Sequence, residues 1–111
     1  MYSLLCLFCL NMKIICNKQY TQLPRMIMQR CGYGEIVNHQ GQRSYTKLLR
    51  GVPYPRFHAY IDTKNEGFQI NLHLDQKAPV YKSAAAHAGE YGGSVVEAEG
   101  KRILATVEQF I

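Results

Sequence analysis

The chain has 111 residues, 47% of them hydrophobic and 19% charged, which suits one globular domain with a modest core and excludes a disordered chain, a fibrous repeat and a two-domain protein. Its net charge is +5, unevenly placed: residues 1–56 hold eight Lys or Arg against Glu35 alone, and residues 57–111 hold five against seven acids. The basic character, and with it any affinity for a polyanion, belongs to the N-terminal half.

The first ten residues are apolar and contain Cys6 and Cys9. This run is too short to span a bilayer, no basic residue precedes it and no small-residue cleavage site follows, so neither a transmembrane segment nor a secretion signal is expected. No helical or alternating period precedes Met26. Residues 1–28 are therefore read as a poorly ordered extension, with translation starts at Met12, Met26 or Met28 as one origin, and residues 29–111 as the single folded domain. Cys6-x-x-Cys9 has the spacing of half a zinc site or a redox pair. Cys16 and Cys31 are not spaced as a second half, and the neighbours are Leu and Phe where turn-formers are expected. The cysteines are read as apolar filler in a reduced, cytoplasmic setting.

From 29 to 55 the chain reads as turns and short elements, with turns at Cys31-Gly-Tyr-Gly34 and Asn38-His-Gln-Gly41 and a third strand within 42–49. Here cations alternate with tyrosines. Arg43, Lys47, Arg50 and Arg56 with Tyr45 and Tyr54 supply charges for phosphates and flat rings for bases, the pattern of a nucleic-acid-binding module. No RNP-type, KH-type or zinc-finger signature accompanies them, and surface charge with half-buried tyrosines explains them equally well. The prolines of Val52-Pro-Tyr-Pro-Arg56 are expected to deliver the chain, already extended, into the next strand.

A β-hairpin is predicted over 56–62 and 68–75, joined by five residues. Phe57, Ala59 and Ile61 share one face with Phe68, Ile70, Leu72 and Leu74, in a register that sets Ile61 opposite Phe68. Arg56, His58, Tyr60 and Asp62 then share the other face with Gln69, Asn71, His73 and Asp75, the two imidazoles lying on a diagonal. His73-x-Asp75 places an imidazole and a carboxylate on the same side of a strand. Such a pair can ligate a divalent metal, or the carboxylate can orient the ring as a general base. The plainer reading is a solvated polar face. The long segment 76–93 carries His87 and Glu90 among glycines, and folded back it would complete an N/O ligand set of His58, His73, Asp75, His87 and Glu90, suited to zinc, manganese or iron.

Ser94-Val-Val-Glu97 has the form of a capping box. A C-terminal amphipathic helix over 95–110 follows, with Val96, Ile103, Leu104 and Val107 at helical spacing and Gly100 weakening it by about 1 kcal/mol. Neither helix nor hairpin is stable alone. The expected fold is therefore α+β, a small antiparallel sheet built on the hairpin and packed by this one helix.

Two resemblances bear on function. Ala86-His-Ala-Gly-Glu90 followed by Val95-Val-Glu-Ala-Glu-Gly100 is similar in outline to the first cupin motif, but Ala85 stands where its first histidine belongs and the second motif is absent, so the cupin reading is not adopted. Pro55-Arg-Phe-His58, Leu72-His-Leu-Asp-Gln-Lys77, His87-Ala-Gly-Glu-Tyr91 and Val95-Val-Glu97 with Arg102-Ile103 resemble a group of short uncharacterised bacterial proteins. That resemblance covers the last half of the chain and implies no activity. Three functions remain open: a divalent-metal site, hydrolytic in its further reach; a basic nucleic-acid module; and a structural or protein-interaction domain without a site.

Overall fold

The computed structural model describes residues 11–76 and 93–111. Five strands form one antiparallel sheet: β1 (Asn11–Cys16), β2 (Gly34–Val37), β3 (Arg43–Leu48), β4 (Arg56–Thr63) and β5 (Phe68–Asp75), in the order β1-β5-β4-β3-β2. Helix α1 (Pro24–Arg30) lies between β1 and β2, and helix α2 (Gly93–Val107) ends in a 3₁₀ turn, Glu108–Phe110. The α+β class, the central hairpin and the C-terminal helix are as expected from sequence.

The hairpin's apolar face is also as expected, but its register is not. Ile61 pairs with Ile70, Ala59 with Leu72, Phe57 with Leu74 and Thr63 with Phe68. This is a slip of two residues from the expected pairing, which preserves both faces because the side-chain period is two. β4 runs one residue further than predicted, to Thr63, and the turn is correspondingly shorter. Gly67 closes it at φ +80, where a Cβ would collide with the Cys16 carbonyl of β1. Only glycine lets the two backbones approach so closely.

The expected extension over 1–28 does not describe residues 11–28. All six residues of β1 pair with β5, from Asn11 opposite His73 to Cys16 opposite Phe68, and Ile14 and Cys16 join the core. Seven-residue α1 opens on proline at its first turn, where a missing N–H costs nothing. It is too short to persist alone and is held by its fully buried Ile27 and Met28. Cys6 and Cys9 lie outside the described residues, as do His87 and Glu90.

The connection 49–55 is a bend with a cis Tyr54–Pro55 peptide, not the straight lead-in expected of its prolines. The turn at 38–41 is present: the Asn38 side-chain carbonyl accepts the N–H groups of Gln40 and Gln42, and Gly41 adopts φ +82.

Helix α2 covers one face of the sheet through Val96, Ile103 and Val107. Ser94 is already a helical residue, not the cap expected of it. Gly100 is buried against β1, where a Cβ would meet the Met12 thioether. A residue unfavourable for the helix thus lets the helix seat closely on the sheet. Glu99 of this helix is buried. It accepts two bonds from Arg102, at 2.8 and 2.7 Å, and one from the Tyr33 hydroxyl at 2.7 Å. Arg102 also donates to the Cys31 carbonyl just beyond α1, which fastens the two helices together. Burial alone would raise the Glu99 carboxyl, but the Arg102 and Tyr33 hydrogen bonds hold it below the ordinary range. Among the described residues no helix is long and apolar enough to cross a membrane.

Candidate metal centre

The sheet face away from α2 carries the polar set. On β4 and β5 the observed register places His58 directly opposite His73 and Arg56 opposite Asp75. The expected diagonal between the imidazoles is thus a direct cross-strand pair, the closer of the two arrangements. The ring centroids stand 5.1 Å apart. Tyr60 stacks against both rings, at 4.6 Å from His58 and 5.6 Å from His73, and limits their rotation.

Asp75 is the hub. Its Oδ2 lies 2.7 Å from His58 Nδ1, its Oδ1 lies 2.9 Å from His73 Nε2, and Arg56 Nε donates to Oδ2 at 3.3 Å. The Arg56 guanidinium also sits over the Tyr54 ring at 4.8 Å. The opposite edge of the His58 ring points to β3, where Ser44 Oγ lies 2.9 Å from Nε2. Ser44 precedes Thr46, which pairs with His58, so alternation puts its hydroxyl on the histidine's side of the sheet.

Ser44, His58 and Asp75 therefore stand in the hydrogen-bond order of a hydroxyl, a base and an orienting carboxylate. Ser44 is only 6% exposed; its hydroxyl is directed at the imidazole, which makes it a partner of His58 more than a nucleophile for an incoming substrate.

The electrostatics favour particular protonation states. Burial lowers the pKa of His73 against the opposing pull of Asp75, so the ring is neutral at neutral pH. Burial would raise the Asp75 carboxyl, but the His58 hydrogen bond, the nearby imidazoles and Arg56 together hold it low. A neutral imidazole beside an ionised carboxylate is the state in which these groups ligate metals. One donor atom from each of His58, His73 and Asp75 lies within 4.8 Å of the others. An N/O set of this kind fits zinc, manganese or iron, and three protein ligands leave a coordination position for water.

Of the expected ligands, the structure brings together His58, His73 and Asp75. Ser44 was missed; its only signal was its place in the strand expected within 42–49, and which neighbour that strand pairs with cannot be read from local sequence. The two cysteines among the described residues do not compete. Cys16 and Cys31 are buried on the helix-covered side, where burial raises both thiols, Cys16 to about 11, and a protonated thiol is a poor ligand.

The basic residues are not gathered into one stripe. Arg43 and Lys47 alternate with Ser44 and Thr46 on β3 and so lie on the face of Tyr45, whereas Arg56 lies on the face of His58. Arg43 pairs with Glu35 at 2.9 Å, and the Lys47 stem packs by Gly32. Arg56 is engaged by Asp75 and Tyr54, while Arg50, exposed in the 49–55 bend, follows β3.

No protein-family model matches the chain, no curated protein matches its sequence and no solved structure matches its fold.

Proposed function

We propose that this protein binds one divalent transition-metal ion through His58, His73 and Asp75. The observation that carries the reading is the convergence of their donor atoms from two adjacent strands, within 4.8 Å of one another. Two further features support it: His73 and Asp75 are shifted toward their ligating forms, and Tyr60 braces both rings. A framework of paired strands holds ligands more precisely than a loop does. Zinc, manganese and iron(II) all suit the donor set. A bound ion would supply an acidified water, which makes hydrolysis the natural chemistry of the site. His87 and Glu90, outside the described residues, are the candidates for additional ligands.

The test is equilibrium dialysis of the metal-free protein against each ion, followed by elemental analysis. One ion per chain is expected for the wild type, with affinity sharply weakened in His73→Ala. Equal retention by both proteins, or none by either, would remove the reading.

A further inference from the structure

The metal reading leaves one atom unexplained, the Nε2 of His58. His58 is 8% exposed and Ser44 6%, so this nitrogen is away from water and must be paired within the protein. Its partner is the Ser44 hydroxyl at 2.9 Å. The other ring nitrogen, Nδ1, faces Asp75 at 2.7 Å, on the side where His73 Nε2 approaches the second carboxylate oxygen at 2.9 Å. Ligand atoms converge on the Nδ1 side, and the Nε2 side points away toward β3.

An ionised carboxylate can only accept. In the metal-free neutral ring the proton therefore sits on Nδ1 and is donated to Asp75, leaving Nε2 to accept the Ser44 hydroxyl proton. A metal ion needs the Nδ1 lone pair, which requires the ring proton to be on Nε2. A hydroxyl can serve both arrangements, because it is donor and acceptor and rotates freely. An asparagine or a backbone group at this place would serve only one without rebuilding its surroundings.

We propose that Ser44 is the positioning residue that makes His58 a metal ligand through Nδ1: its hydroxyl donates to Nε2 in the metal-free protein and turns to accept the Nε2 proton when the ion is bound. This rests on the metal reading above. Proton count is conserved, since the ring keeps one proton and exchanges only the nitrogen that carries it. The groups around the ring, Asp75, His73, Arg56, Tyr60 and Thr46, include no other partner for Nε2 among the observed hydrogen bonds.

Long-range proton–nitrogen NMR on the full chain with ¹⁵N-labelled histidine reads the tautomer directly. The expected result is a protonated Nδ1 in the metal-free protein and, after one equivalent of zinc, a protonated Nε2 with Nδ1 bound to the ion. In parallel, Ser44→Ala is expected to weaken zinc binding by about 10- to 100-fold, and Ser44→Thr, which keeps the hydroxyl, to stay within about threefold of wild type. Zinc binding that leaves His58 in one tautomer throughout, or that engages Nε2, would overturn the proposal while leaving the metal site standing. So would zinc affinity unchanged in Ser44→Ala. Failure of the wild type to take up zinc at all would remove both. Should Ser44→Ala not fold, the wild-type spectra and Ser44→Thr still decide.

Discussion

Glu99 and Asp75 are carboxylates held in hydrogen-bond networks on opposite sides of the sheet, and they are built from similar parts to different ends. Each is drawn below the ordinary range by donors that outweigh its burial. Glu99 receives both arms of Arg102 and the Tyr33 hydroxyl. Those donors hold their protons at any physiological pH: Tyr33 is raised chiefly by burial, with Glu99 adding to it, and Arg102 is raised chiefly by its bond to Glu99. Asp75 receives one arm of Arg56 and two imidazoles, whose ring protons can move or be replaced by a metal. The contrast shows that what separates a clamp from a candidate site here is whether the donors can surrender their protons.

Removing the Glu99 carboxylate should therefore have the largest effect on stability. Glu99→Ala strands the Tyr33 hydroxyl in the core and takes from Arg102 its carboxylate partner, and is expected to cost about 3 kcal/mol in urea unfolding. A cost no greater than that of a surface change would mean that the two carboxylates are not different in kind. Asp75→Asn is the converse test. Its donors retain partial access to water, so the expected stability loss is about 1 kcal/mol, while metal retention in dialysis should disappear.

Acid titration sharpens the same contrast. Both folded carboxyls are depressed, so each adds stability that is fully present above the unfolded value and is lost as pH falls toward the folded one. The wild type should weaken from about pH 4.5 downward. Circular dichroism melts at descending pH should show that slope flattened more by Glu99→Gln than by Asp75→Asn, because Glu99 is the more deeply buried. The smallest effect belongs to an ion pair on neither network. Arg43, 61% exposed beside Glu35, should cost less than about 1 kcal/mol when changed to Ala, and that cost should vanish in high salt.

The hairpin was legible in sequence because alternation over sixteen positions leaves only one way to sort its faces. Alternation does not set register, and the two-residue slip came from the turn, whose Gly67 contact with β1 has no local signature. Residues 11–28 were unreadable for a related reason. Met12, Ile14 and Cys16 do alternate, but Ile15 faces outward at 59% exposure and breaks the pattern, while α1 spans too few turns to show a period. His73 and Asp75 could be seen two apart on one strand. Ser44, and likewise the Tyr33–Glu99 bond across 66 residues, became visible only once strand and helix partners were known.

The most direct test of the central claim is X-ray absorption at the zinc edge of the protein loaded with one equivalent. A centre made by His58, His73 and Asp75 predicts imidazole nitrogen and carboxylate oxygen at about 2.0–2.1 Å, with the multiple-scattering signature of two rings that drops to one in His73→Ala. Sulfur scattering at about 2.3 Å, or an imidazole signature unchanged in that variant, would contradict it.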